Sequence, residues 1–420
     1  MTGVRRFSVD VAWNVAGLAV AGAGGILANV LVLSVCGAEA LGLFNLVFAI
    51  YLVVSQLAVG GVQYSVISHY ARSVDPEREG PALVSSAVAL VFLLGVVIAA
   101  AVHAAAPVIA AAMDKPEVVA GLRWAAPGLL FFAVNKTLLM AVNARRHMRM
   151  FAVFQSVRCL LLIASLAVLA AVASPEHLAA ALTMAEAVLL VLLLVYTRMR
   201  VCPLSWRVVD RAWLRRHAGF GMRGFLTGVL GEMNTRVDVI MLGFFADNAM
   251  IGVYSFSAML AEGFAQLSVV VRQNMDPLIG RHVARGTLAE LPVLTRRVRR
   301  IFAPAMVALA VLFSAGYVAV LWWFDVPAQW QTGALVLAIL LGALAANATY
   351  RPFLGILIQG GRPGVNTILV AALVVMNILL NAVLIPWFGL PGAAVATGLV
   401  FIAEAVAIRM LARRLWGVAL

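Results

Sequence analysis

Twelve apolar runs, each long enough to cross a lipid bilayer, follow one another along this 420-residue chain. A spanning helix needs ~20 predominantly apolar residues. Six such runs lie at Val11–Val35, Leu43–Ser68, Leu83–Met113, Val118–Val142, Phe151–Ala173 and Leu178–Tyr196. Six more lie at Phe220–Phe245, Ile251–Ile279, Ile301–Phe324, Thr332–Ile358, Val365–Trp387 and Ala393–Met410. In hydrocarbon every backbone polar group must be bonded within the chain, so runs of this length fold as helices. Composition agrees: 64% of residues are hydrophobic and 12% charged, against ~45–50% and ~25% in soluble domains. The expected fold class is all-α, a polytopic membrane protein of twelve transmembrane helices. A soluble enzyme, a secreted disulfide scaffold and a nucleic-acid-binding domain are excluded.

The three cysteines, Cys36, Cys159 and Cys202, fall in separate segments, and no C-x-x-C occurs. The six histidines include no i, i+4 pair. Neither a disulfide framework nor a metal site is implied, and no cofactor is expected. No nucleophile–base constellation, Gly-rich phosphate loop or paired-carboxylate spacing is visible, so the chain is expected not to be an enzyme.

The longest stretch between runs, Thr197 to Gly219, is too short to fold as a domain. The expected organisation is a six-helix bundle over residues 1–199, a linker over 200–219 and a second six-helix bundle over 220–420. Between Trp206 and Arg216, aromatic and apolar residues alternate with Arg207, Arg211, Arg215 and Arg216. That pattern suits a segment lying along the inner membrane face. The basic stretch Met1–Arg6 precedes an apolar run too long for a signal-peptide core, so an uncleaved first span is expected.

Arginine and lysine set orientation. The termini and the even-numbered loops together carry 23 arginines, from Arg5 and Arg6 to Arg413 and Arg414. The odd-numbered loops hold Lys115, with Arg123 at the outer end of span four. Both termini are therefore expected in the cytoplasm, in a multi-pass protein of the bacterial inner membrane. The formal charge of +13 follows from this bias and needs no nucleic-acid partner.

Sliding the chain by 210 residues lays Leu41-Gly42-Leu43-Phe44 over Ile251-Gly252-Val253-Tyr254, and Gln56 and Gln63 over Gln266 and Gln273. Ala185-Glu186-Ala187-Val188 recurs as Ala403-Glu404-Ala405-Val406 at an offset of 218. Six spans per half is an even number, so the halves share one orientation. The expected relation is a parallel repeat, a type whose substrate site commonly lies where repeats meet.

Ionisable groups at helix centres cost ~2.5–3.5 kcal/mol each on insertion scales and mark functional positions. Lys136 lies mid-span in span four, and Arg158 about two turns inside span five. Glu186 and Glu404 occupy the repeated position in spans six and twelve. Span seven holds Arg223, Glu232, Arg236 and Asp238; span eight holds Glu262, Arg272 and Asp276; span ten holds Arg351. Left facing lipid, eleven or so such charges would cost roughly 30 kcal/mol on that scale, so most must point inward.

Arg158, Arg223, Arg272 and Arg351 all fall in the expected cytoplasmic half. They either snorkel to the inner interface or form a cationic vestibule, where the guanidinium fork grips phosphate bidentately. Lys136 is a ligand or the partner of a neighbouring carboxylate. Glu232 and Arg236, at i, i+4, form a structural pair or share a ligand. Glu186, Glu232, Asp238, Glu262 and Glu404 are the candidates for ion coupling, with helix-packing hydrogen bonds as the simpler role. Ala21-Gly22-Ala23-Gly24-Gly25 gives span one a smooth face or a hinge. Pro127, Pro277, Pro304 and Pro352 can kink their spans.

Several motifs resemble the polysaccharide flippases of the multidrug/oligosaccharidyl-lipid/polysaccharide exporter superfamily. They are the stretch from Gly37 to Arg72, Thr235-Arg236-Val237-Asp238 with Leu242-Gly243, and Ile251-Gly252-Val253-Tyr254-Ser255. The ending is similar too: Asn377-Ile378-Leu379-Leu380-Asn381, Leu384-Ile385-Pro386, Phe388-Gly389-Leu390 and Gly392-Ala393-Ala394. The resemblance implies two six-helix bundles around a basic central cavity. Its implied activity is alternating-access transfer of undecaprenyl-pyrophosphate-linked oligosaccharides to the periplasmic leaflet, for exopolysaccharide, capsule or O-antigen. Lys136, Arg158, Arg272, Arg351 and Arg236 are the implied substrate ligands. H+ or Na+ would be the coupling ion, and a polysaccharide polymerase with its export machinery the partner. The alternative is a cation- or proton-coupled multidrug exporter of the same superfamily, which would call for an acidic, aromatic cavity. Lipid II flippases carry arginines in the first span and commonly have fourteen spans. Here that span offers Asn14 and Asn29, and twelve spans are counted, which disfavours lipid II as cargo.

Overall fold

The computed structural model describes residues 3–323 and 327–418. The side chain of Asn14 and those of Arg5 and Arg6 lie outside what it describes. The chain is helical along most of its length. The helices are α1 (Gly3–Val59), α2 (Val62–Arg72), α3 (Pro76–Met113), α4 (Glu117–Ala144), α5 (Met148–Val172) and α6 (Ala180–Arg200). They continue as α7 (Arg211–Phe245), α8 (Asn248–Arg285), α9 (Leu291–Trp323), α10 (Gln329–Ala346), α11 (Ile356–Gln359) and α12 (Pro363–Trp416).

Two of these helices are too long to be single spans. A straight α1 would reach ~85 Å and a straight α12 ~80 Å at 1.5 Å per residue, against ~30 Å of hydrocarbon. Each is broken by a glycine whose backbone leaves the helical region. Gly37 (φ 86°, ψ 177°) divides α1, and Gly389 (φ 59°, ψ −136°) divides α12. Both breaks fall in the gaps expected between apolar runs. Nine helices among the described residues are long and apolar enough to cross a membrane. Counting both halves of α1 and α12, and adding the charged α7, gives the twelve segments expected. Arg223, Glu232, Arg236 and Asp238 lower the apolarity of α7. One break was not anticipated: Gly60 and Gly61, both at positive φ, interrupt the second run between α1 and α2.

The chain divides into two compact units, Met1–Arg236 and Val237–Leu420. The division falls inside α7, so about the first seven turns of that helix belong to the N-terminal unit. There α4 is the central helix and packs on α1, α3 and α6. Small residues let the backbones approach, as expected in lipid. A Cβ on Gly95 would meet Leu130 Cα at 2.9 Å, and one on Gly121 would meet Val47 Cγ2 at 2.8 Å. Gly61 and Gly221 touch backbone to backbone, which brings the start of α7 onto the break after α1.

The segment before α7 is pinned to this unit rather than left as a free connection. Ser205 N donates to Ser85 Oγ at 3.2 Å and Asp210 N to Ser86 Oγ at 2.9 Å. His217 is fully buried. Its Nε2 donates to Leu83 O at 3.0 Å and its Nδ1 accepts from Ser65 Oγ at 2.9 Å, an arrangement that takes the neutral ring. Burial pushes its pKa down to about 4.

In the C-terminal unit α10 packs on α8, α9 and α12. Ser257 Oγ donates to Gly333 O at 3.0 Å, joining α8 to α10. Phe353, Ile356 and Leu357 pack with Ile279 and Ile408 in a core between the turn after α10 and its neighbours.

Candidate functional site

In the N-terminal unit the charged groups assemble around one aromatic ring. Phe132 on α4 is buried, and the edge of Tyr51 on α1 meets it at 6.0 Å. The Arg158 guanidinium from α5 lies over this ring at 4.4 Å, and Lys136 Nζ, one turn along α4, is 5.5 Å from its centre. Cations are attracted to the negative ring face, most strongly where water is excluded.

The two cations differ in their other partners. Arg158 grips Glu186 of α6 bidentately, Nε to Oε1 at 2.6 Å and Nη2 to Oε2 at 2.9 Å. Asn135 Nδ2 donates to Oε2 and to the backbone carbonyl of the same glutamate, both at 2.8 Å. The carboxylate therefore accepts three charge-assisted or buried hydrogen bonds, and its charge is matched. Lys136 instead donates to Gln56 Oε1 of α1 at 2.8 Å, a neutral amide. Among the described residues no carboxylate lies within salt-bridge distance of Lys136; Glu232 acts on it from farther away. Glu232 pairs with Arg236 along α7, at 3.6 Å. Arg223 is exposed.

The C-terminal unit holds a looser cluster. Arg351 opens the 3-10 turn after α10, and its guanidinium lies 5.0 Å from the Phe401 ring of α12. Its Nη1 is buried with no hydrogen-bond partner among the described residues. Glu404, one turn beyond Phe401, interacts electrostatically with both Arg351 and Arg272. Arg272 reaches Asp276, one turn along α8, only at 3.9 Å. Both Arg272 Nε and Asp276 Oδ1 are buried with no hydrogen-bond partner among the described residues. Glu262 is half-buried on the same helix. Asp238 is held differently: Oδ1 accepts from Val239 N at 2.8 Å, and Oδ2 from Tyr254 Oη at 2.5 Å. Thr397 Oγ1 adds a third donor at 3.5 Å.

The two units repeat this local design with different residues. Asn135 donates to the backbone of α6 at Glu186, and Asn347, 212 positions later, donates to the α12 backbone at Phe401. Each unit seats an arginine on a phenylalanine beside the repeated glutamate. In the first the arginine comes from α5, and in the second from the turn after α10. Asn135, Phe132 and Gln56 were not among the residues expected at the site. Gln56 stood out only as a mark of the repeat, and Asn135 is a buried amide next to Lys136 whose place in an apolar span was the available signal.

The family profile described as polysaccharide biosynthesis protein matches residues 35–324, more than half of the chain. The chain belongs to this family. The polysaccharide biosynthesis match takes in Lys136, Arg158, Glu186, Glu232 and Arg272, while Arg351 and Glu404 lie beyond it. No curated protein matches the sequence. Solved structures share the fold at low identity. An inward-facing multidrug resistance MATE-family transporter of the MOP superfamily superposes with a TM-score of 0.77 at 16% identity, covering 93% of each chain. The lipid II flippase MurJ, in an inward closed conformation, gives 0.74 at 13%, covering 96% of this chain and 87% of its own. A MOP-superfamily transporter from Pyrococcus furiosus, described as having a binding pocket of reverse polarity, gives 0.64 at 14%, covering 99% and 95%. Family and shared fold together make this a polytopic all-α membrane protein of a polysaccharide biosynthesis family.

Proposed function

We propose that this protein flips polyprenyl-pyrophosphate-linked oligosaccharides from the cytoplasmic to the periplasmic leaflet of the inner membrane, by alternating access. The observation that carries the proposal is the inequality of its intramembrane cations, in a chain that belongs to a polysaccharide biosynthesis family. Lys136 is held by a neutral amide, and Arg351 and Arg272 keep buried nitrogens without hydrogen bonds. Such groups are electrostatically costly in a low dielectric until an anion joins them. A pyrophosphate has the charge and the multiple acceptor oxygens to do so. Arg158, bound bidentately by Glu186, serves to hold α5 to α6 and to orient the ring that Lys136 faces. Arg236, tied to Glu232, is placed as a secondary contact. Glu404, set against two arginines, is the carboxylate to release them when cargo arrives, with H+ or Na+ as coupling ion. Glu186, Glu232, Asp238 and Glu262 stabilise the helices around these groups.

Export of surface glycan in cells lacking the native copy tests the proposal. Lys136→Ala and Arg272→Ala are expected to abolish export at near-normal protein levels. Arg272→Lys keeps the charge and loses the fork, so partial activity is expected. Normal export from the Lys136→Ala/Arg272→Ala double variant would overturn the assignment. Efflux of a cationic dye that depends on Glu404 and not on Lys136 would instead favour the multidrug exporter.

A further inference from the structure

A groove of about 890 Å³ opens at the arginine-poor end of the N-terminal unit, away from the charges described above. Its walls come from α3 (His103), the first three turns of α4 (Glu117, Arg123, Trp124, Pro127) and the 3-10 turn between α5 and α6 (Glu176). Trp124 is half exposed, at 50%. The His177 ring stands against it at 5.7 Å, and Thr183 Oγ1 donates to its carbonyl at 2.6 Å. The same hydroxyl accepts from Gly128 N, so a side chain is inserted into the helix ladder at this point. Pro127 has no N–H to offer the carbonyl of Arg123 four residues back. The aromatic ring is thus propped at the mouth of a wall with opened backbone and three charged groups.

We propose that this groove binds the saccharide portion of a glycan, with Trp124 as the stacking platform. A pyranose has an apolar C–H face and a rim of hydroxyls. An exposed, rigid aromatic ring suits the first, since its body is apolar and costs little conformational entropy to present. Carboxylates and a guanidinium suit the second: Glu117 and Glu176 accept from hydroxyls, and Arg123 donates through its fork. Two carboxylates against one arginine disfavour a phosphate-bearing lipid headgroup. Trp124 and Lys136 stand on the same helix, twelve residues or ~18 Å apart. A lipid-linked glycan could therefore meet a cation at its pyrophosphate and an aromatic ring along its sugars. The assignment rests on the flippase proposal for the direction of transport, which makes this end the exit.

The test uses the full-length protein in lipid nanodiscs with two probes: inorganic pyrophosphate, and the oligosaccharide released by mild acid from the producing cell's surface polysaccharide. Binding is read by saturation-transfer NMR for the oligosaccharide and by calorimetry for pyrophosphate. Trp124→Ala is expected to weaken oligosaccharide binding about tenfold or more, and Trp124→Phe by less than about threefold, with pyrophosphate affinity unchanged. Glu176→Gln, on a half-exposed turn residue, is expected to weaken oligosaccharide binding as well, and serves if Trp124→Ala does not fold. Equal oligosaccharide binding by wild type and Trp124→Ala, or none by wild type, would overturn the groove assignment and leave Trp124 as an interfacial anchor. Absence of pyrophosphate binding by wild type would instead strike the flippase proposal. A Trp124-dependent oligosaccharide signal alongside it would leave the groove standing.

Discussion

Arg158 and Lys136 share the Phe132 ring, yet only Arg158 has a carboxylate to neutralise it. That difference predicts opposite behaviour on mutation. Removing one member of a buried, hydrogen-bonded pair leaves an uncompensated charge and costs ~3–5 kcal/mol, whereas replacing both members by apolar residues of similar volume is close to neutral. Glu186→Leu alone should therefore lower the thermal stability of the purified protein sharply, and Arg158→Met with Glu186→Leu should recover most of it. Lys136→Met, which removes a cation held by a neutral amide, should leave stability equal or higher while export fails. A double variant as unstable as the single would show that the pair is not balanced as described. The candidate site was partly legible at this scale, because charges in apolar runs announce themselves. Their partners were not. Which of several glutamates meets Arg158 depends on how α5 and α6 turn toward each other, and no periodicity in two nearly uniform apolar helices fixes that rotation. The neutral partners Gln56 and Asn135 carried still less signal, since buried amides serve equally well as packing hydrogen bonds.

The breaks at Gly37 and Gly389 decide how α1 and α12 become two spans each, and both have open space where a Cβ would sit. Any cost of adding a side chain there is a cost of backbone conformation, of order 1–3 kcal/mol. Gly342, inside α10, also has open space around its missing Cβ but lies within a regular helix. Alanine should stabilise that position by roughly 0.5–1 kcal/mol. Melting of Gly37→Ala and Gly342→Ala in the same detergent should thus shift in opposite directions. The apolar runs placed both breaks correctly, because a span cannot exceed the bilayer. They gave no sign of the third break at Gly60–Gly61, which lies within a single hydrophobic run and exists to let α7 touch at Gly221. The segment before α7 carries its own prediction. His217 is fully buried and neutral, packed against His69 on α2, Leu83 on α3 and Trp213 on its own helix. Its folded-state pKa of about 4 lies below the ordinary value of 6.5. As pH falls through the interval between them, the unfolded ring takes up a proton that the folded one refuses, so stability declines. The loss should approach ~3 kcal/mol at the bottom of that interval and level off below it. His217→Gln should flatten the profile, measured as melting temperature between pH 7 and pH 4; an unchanged slope would show that the ring is not the titrating group.

At the level of the whole molecule, the distribution of arginine is the strongest constraint that remains to be exercised by experiment. The 23 arginines of the termini and even-numbered loops face Lys115 and Arg123 across twelve spans. Near an anionic cytoplasmic surface each basic residue is worth ~1 kcal/mol, so the inverted orientation would forgo roughly 20 kcal/mol, more than the stability of a typical fold. Twelve spans, an even number, are expected to leave both termini on the side of Arg72, Arg145 and Arg198. The groove proposed for glycan, lined by Glu117 and Trp124 of α4 and by Glu176 of the turn before α6, lies at the end of the N-terminal unit that the same count is expected to send outward. Reporter fusions are expected to show a cytoplasmic C-terminus after Arg414 and a cytoplasmic segment at Arg207–Arg211. Insertions at Lys115 and at Ser174, in the short turns that border the groove, should be labelled from outside the cell by a membrane-impermeant reagent. A C-terminal fusion active only in the periplasm would reverse the orientation, place the groove at the entry side, and turn Trp124 from an exit platform into a receptor for cargo still in the cytoplasmic leaflet.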